Sequence, residues 1–93
     1  MFVDLRDDTE LAREGKIPGS LHVSRGILEF ALDPTLPYHN PVFSSGKNFL
    51  FYCASAGRSA LAADTAQALG LTNVAHLGGG VRDWKAAGHP TER

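Results

Sequence analysis

Cys53, the only cysteine in the chain, closes the apolar run Phe49-Leu50-Phe51-Tyr52 and is followed by Ala54-Ser55-Ala56-Gly57-Arg58-Ser59 and an alanine-rich stretch. A thiol attacks only as its thiolate, and a free cysteine ionises near pH ~8.5, so nucleophilic work needs surroundings that favour the anion. The order of residues provides them. An apolar strand, a turn of small residues and a helix start aim several backbone N–H groups, and the positive end of a helix dipole, at the space above the turn. Arg58 adds a cation beside it. The dipoles that favour a thiolate also receive an oxyanion substrate or leaving group. An arbitrary cysteine after a strand is ordinarily a small buried hydrophobe; Gly57, Arg58 and the small flanking side chains turn the reading towards a reactive thiol.

The remaining polar residues point to less. Four histidines and one cysteine show no metal-ligand spacing, so no metal is expected. His22 and His76 read as boundary residues with satisfied hydrogen bonds rather than as a base or ligand. Gly78-Gly79-Gly80 lacks the lysine and hydroxyl of a nucleotide cradle and reads as a close backbone approach at a helix start. Trp84, at helical spacing from Val81 and Gly88, reads as core.

These residues need elements to position them, and 93 residues provide one domain with a modest core. Nine basic residues against ten acidic, with no long run of either sign, show no nucleic-acid or membrane-surface footprint. No apolar run approaches the ~20 residues of a membrane span, and no cleavable leader is visible. A lone cysteine without a resolving partner points to a reducing compartment, the cytoplasm, and to an external acceptor for whatever Cys53 carries. The chain opens at Met1-Phe2-Val3-Asp4 inside what reads as a strand, as a fragment of a longer polypeptide would.

Phe2 to Leu5 reads as a buried parallel strand. Asp8 or Thr9 is expected to cap a short helix through Glu14, stopped by Gly15. Ile17-Pro18-Gly19-Ser20 is a turn, Leu21 to Val23 a brief strand, and Ser24 a cap for a helix over 25–32 with Ile27, Leu28, Ala31 and Leu32 on one face. Residues 33–48 read as a long loop, with Tyr38 and His39 at its centre. Leu50 to Tyr52 is a strand. Ser59 to Leu69 is a helix with Leu61, Ala62, Ala66 and Leu69 as its buried stripe. Asn73 to Leu77 is a strand, and Val81 to Ala87 a last helix. Strands alternating with helices imply a parallel sheet covered on both faces, with ligands beyond the carboxyl ends of the strands.

Val3-Asp4-Leu5-Arg6, Glu10, Gly15 and Ile17-Pro18-Gly19-Ser20-Leu21-His22-Val23 near the start, Cys53 to Ser59 in the middle, and Leu77, Gly79-Gly80, Trp84, Gly88 and Pro90 near the end together resemble the rhodanese family of single-domain sulfurtransferases. Lys16, where the family usually has histidine, and Ser20, where alanine is common, depart from its pattern. The resemblance implies a three-layer α/β/α fold with a parallel sheet of about four strands here, the family's N-terminal helix and strand being absent and one sheet edge left exposed or covered by a partner. It also implies transfer of sulfane sulfur from thiosulfate or a similar small anionic donor, through a Cys53 persulfide, to cyanide, a thiol or a protein acceptor, with no cofactor. Ala54, Ser55, Ala56, Gly57, Arg58 and Ser59 would form the anion-binding loop, and Asp4 and Arg6 would hold it. Arg58 either faces the pocket or folds back onto a carboxylate, for which Asp4 is the expected partner. The small residues at 54–56 define no particular donor, so the loop over 33–48 is the expected source of specificity. A persulfide carrier and a catalytically silent binding module are the alternatives. A phosphatase or arsenate reductase of the same fold is disfavoured, because those relatives have one more residue between cysteine and arginine than the four here.

Overall fold

The computed structural model describes residues 1–92. Four parallel strands lie in the order β2-β1-β3-β4: β1 Phe2–Asp4, β2 Leu21–His22, β3 Phe49–Tyr52 and β4 Val74–His76. The helices are α1 Asp8–Glu14, α2 Leu28–Leu32, α3 Gly57–Ala68 and α4 Gly80–Ala86. Val3 lies opposite both Leu21 and Phe51, and Phe51 opposite His76. The four-stranded parallel sheet expected from alternating strands and helices is present.

Side chains alternate across a strand, and here the alternation divides the core in two. Val3, Leu5, Phe49 and Phe51 pack with Leu28, Ala31, Leu32, Phe43, Ala62 and Ala66. Tyr52 packs with Ile17 and Val81, supported by Phe2, Leu77 and Trp84. Trp84 meets Phe2 edge-on at 5.5 Å between ring centroids and donates its Nε1–H to Pro90 O at 2.7 Å. It is half-buried and packs against the second cluster rather than within it, so the expectation of a core residue holds only in part. At the sheet edge, Ala75 and His76 of β4 are exposed.

Several boundaries and faces differ from the sequence reading. The cap of α1 is Asp7, one residue before the expected pair, because its carboxylate accepts from Glu10 N at 2.9 Å while Glu10 returns to Asp7 N, a capping box that needs this spacing. The expected single helix over 25–32 divides into a 3₁₀ turn, Arg25–Ile27, and α2, and Ile27 is exposed. In α3 the buried stripe is Ser59, Ala62, Ala63 and Ala66, while Leu61 and Leu69 are 67% and 54% exposed. The helix turns its small side chains to the sheet and its leucines outward.

The loop over 33–48 also differs. It contains a 3₁₀ turn, Pro41–Ser44, capped by Asn40 Oδ1, and it buries Phe43 against Phe49, their rings 5.0 Å apart. Pro34, Phe43 and Ser44 share a depression with Leu69, Gly70 and Leu71. The loop therefore seals the amino end of β3 and the carboxyl end of α3, opposite the end that bears Cys53. Tyr38 lines an apolar depression with Ile27, Phe30 and Ala31 that shares no residue with the cysteine loop. The expected role of 33–48 in specificity is set aside on this geometry.

Candidate active site

Cys53 follows the last residue of β3 and is 1% exposed. Its thiol lies 3.7 Å from Ser59 Oγ, which itself donates to Ala56 O at 3.1 Å. Ser59 belongs to the first turn of α3, so strand end and helix start are joined across the loop by their side chains as well as by the chain. At this end of the helix the ladder begins with Ala60 N–H donating to Ala56 O at 2.9 Å. The amides of Gly57, Arg58 and Ser59 precede that bond and have no partner within the helix.

The outer side of the loop is held by α4. Val81 N–H donates to Cys53 O at 2.9 Å and Arg82 N–H to Ala54 O at 3.1 Å. Gly80, at φ +59°, makes this approach possible, since a Cβ there would drive into the carbonyl oxygens of Ser55 and Cys53. The glycine run is a close backbone approach, as read, and what it approaches is the cysteine loop.

Arg58 folds back onto a carboxylate, but not onto Asp4. Its Nη1 and Nη2 donate to the two oxygens of Glu10 at 2.6 and 2.8 Å, a bidentate pair. The guanidinium holds the Glu10 carboxyl below its ordinary range, and Glu10 in turn raises the pKa of Arg58. Asp4 is engaged elsewhere: it accepts from Arg6 Nε at 3.0 Å, from Arg6 Nη2 at 2.7 Å and from the Arg6 backbone N–H at 3.0 Å. Both side chains are fully buried. Arg6 Nη2 also donates to Gly15 O at 2.6 Å, which fastens the end of α1 to the sheet. Asp4 and Arg6 thus reach the loop indirectly, by docking the helix whose Glu10 grips Arg58. Glu10 was visible in the sequence only as a motif position. Its spacing three residues after Asp7, as the partner in a capping box, was the available signal that its carboxylate is held at the helix start.

Nearby polar residues are structural. Tyr52 donates to Ser20 Oγ at 3.0 Å and accepts from Ile17 N–H at 3.1 Å, and burial pushes its phenol up to about 12. The hydroxyl at position 20 thus has a buried partner. His22 Nε2 lies 2.7 Å from Arg6 O and 3.2 Å from Ser24 Oγ, a satisfied boundary histidine. Among the described residues no group of three or more His, Cys, Asp or Glu is placed to hold a metal ion, and no helix is long and apolar enough to cross a membrane.

Residues 1–87 match the family model of the rhodanese-like domain. A mouse protein named thiosulfate sulfurtransferase/rhodanese-like domain-containing protein 3 is 33% identical over 89 residues, covering 90% of this chain and 57% of its own length. An uncharacterized protein of Synechocystis sp. is 40% identical over 93 residues, covering 98% of this chain and 46% of its own. The chain spans about half the length of these curated relatives. Among solved structures, a protein of unknown function from Rhodopseudomonas palustris, described as a possible tyrosine phosphatase, is 54% identical with a TM-score of 0.96, covering 99% of this chain and 70% of that one. A human single-domain sulfurtransferase is 28% identical with a TM-score of 0.74, covering 91% of this chain and 80% of that one.

Proposed function

The chain belongs to the rhodanese-like domain family, and from that premise we propose that it is a sulfurtransferase working through a persulfide on Cys53. The thiolate attacks the outer sulfur of thiosulfate or a similar small anionic donor. A bond forms between Cys53 Sγ and that sulfur, the donor's own S–S bond breaks, and sulfite leaves with the bonding pair. The amides of Gly57, Arg58 and Ser59 face the anionic outer sulfur, with Ala54, Ser55 and Ala56 leaving room for it. Cyanide, a thiol or a protein thiol then takes that sulfur and restores the Cys53 thiolate. A reducing cytoplasm suits this chemistry, because Cys53 has no second cysteine in the chain to trap it.

The observation that carries this reading is the bidentate Arg58–Glu10 pair beside the four-residue Ala54–Gly57 loop. A phosphatase needs a free guanidinium to grip the oxygens of a tetrahedral phosphoryl group, and here both terminal nitrogens are engaged by a carboxylate. A sulfur on Cys53 carries one charge and needs only amides. The near-complete burial of Cys53 favours one second reading, a persulfide carrier loaded by a partner protein and slow with free thiosulfate.

Intact mass spectrometry of the wild type and of Cys53→Ser, before and after thiosulfate and then with cyanide, tests the proposal. The expected result is a gain of one sulfur atom on the wild type alone, removed by cyanide with release of thiocyanate. A folded, reduced protein that gains nothing from thiosulfate overturns the thiosulfate reading.

A further inference from the structure

Arg82 is a cation beside the cysteine loop that the proposed transfer does not use. Its backbone N–H is held by Ala54 O, while its side chain is exposed and has no carboxylate partner among the described residues. With Glu14, Ala54, Val81 and Lys85 it lines a cavity of about 210 Å³. Lys85 Nζ donates to Glu14 O at 2.8 Å, a neutral carbonyl, so the ammonium keeps its charge for other company. Among the described residues Glu14 is the one carboxylate in the lining, and its Oε2 lies 3.5 Å from Arg6 Nη1, a buried nitrogen with no hydrogen-bond partner among them. Two cations against one carboxylate that already faces a buried guanidinium leave the cavity electropositive, and its Ala54 wall is the residue next to Cys53.

We propose that this cavity is a carboxylate subsite for the thiol that accepts sulfur from Cys53, with Arg82 as the principal contact and Lys85 as the second. The inference rests on the sulfurtransferase reading and adds to it the class of acceptor. Thiosulfate carries its oxygens one bond from the reacting sulfur and stays within reach of the loop amides. A cavity one residue to the side suits an anion tethered several bonds away, as in a thiol that bears a carboxylate. In the step served, the acceptor thiolate attacks the outer sulfur of the Cys53 persulfide, a new S–S bond forms, the old one breaks, and the Cys53 thiolate leaves with its electron pair. The acceptor departs as a persulfide, and no oxidant or reductant is consumed.

The test measures the acceptor half-reaction alone. Cys53 is loaded with thiosulfate and, in parallel, with inorganic polysulfide, loading is read by intact mass, and loss of the sulfur is timed with 3-mercaptopropionate, 2-mercaptoethanol or cyanide. In Arg82→Gln the ratio of the mercaptopropionate rate to the mercaptoethanol rate is expected to fall about fivefold relative to wild type, as befits a partly exposed charge contact. Cyanide rates stay unchanged, Arg82→Lys recovers part of the ratio, and raised ionic strength shrinks it in the wild type. A ratio unchanged in Arg82→Gln, in Lys85→Gln and in the double variant overturns the inference, as does an equal slowing with both thiols, which would make the role structural. Loading by polysulfide but not thiosulfate overturns the donor assignment while the acceptor ratio is still read. A Cys53 that neither donor loads overturns both.

Discussion

At the carboxyl ends of the strands the chain is held by directional polar contacts: Arg6 on Asp4 and Gly15 O, Arg58 on Glu10, and the Val81 and Arg82 amides on the Cys53 and Ala54 carbonyls. At the amino ends it is held by packing, with Phe43 on Phe49 and the loop over 33–48 wrapped against Leu69 and Leu71. Hydrogen bonds fix angles and positions to a few tenths of an ångström, whereas apolar burial is non-directional and rewards only the area removed from water. The end that, on the proposed function, presents a sulfur and several amides in one geometry uses the first kind of contact, and the end that closes the core uses the second. Losses at the two ends should therefore register differently, one in chemistry as well as stability, the other in stability alone.

The largest effect is expected from Asp4→Ala, which takes from the fully buried Arg6 guanidinium its hydrogen-bonded carboxylate and leaves only the longer contact to half-exposed Glu14. Breaking one side of a buried pair costs about 3–5 kcal/mol. Urea unfolding should show that loss, and sulfur loading of the molecules still folded should fall as well, because α1 and its Glu10 lose their anchor. Phe43→Ala should cost about 3 kcal/mol by leaving a cavity yet leave persulfide formation per folded molecule unchanged. Equal losses of loading in the two variants would break the comparison.

A smaller change sharpens it. Glu10→Gln removes the partner of Arg58 at a half-exposed site and should cost about 0.5–1 kcal/mol at neutral pH. Because the Glu10 carboxyl is held below its ordinary value of 4.5 in the folded protein, its contribution is fully present above that pH and is lost as the pH falls through the lower, folded value. The stability gap between wild type and Glu10→Gln should therefore close in acid. The freed guanidinium should also bind phosphate more tightly than the wild type does, measured by calorimetric titration; no gain would mean that Arg58 is not within reach of the loop's anion. Leu61→Gln, on the outward face of α3, should move the urea midpoint by less than about 0.5 kcal/mol-equivalent of stability, against the several expected had the leucine been core.

The strand, turn and helix around Cys53, the parallel sheet and the glycine approach at the start of α4 were legible in the sequence because each is written locally, in apolar runs, in small residues and in Gly and Pro punctuation. The fold-back of Arg58 was legible too, but its partner was not. Asp4 and Glu10 both lie near the end of β1, and the choice between them was made by Arg6, which takes Asp4 for a buried bidentate pair and docks α1 so that Glu10 faces the loop. The face of α3 was legible only in part for a related reason: Ala62 and Ala66 are buried as expected, but the side on the sheet is completed by Ser59 and Ala63, and Leu61 and Leu69, the stronger apolar residues, face outward. The sequence by itself determined the order and approximate place of the strands and helices and where a nucleophilic thiol would stand, since those depend mostly on neighbours along the chain. Only the tertiary structure decided which charge meets which, which helix face is buried and which end of the sheet the long loop closes, because each is a competition between groups distant in sequence that is settled by how the elements dock.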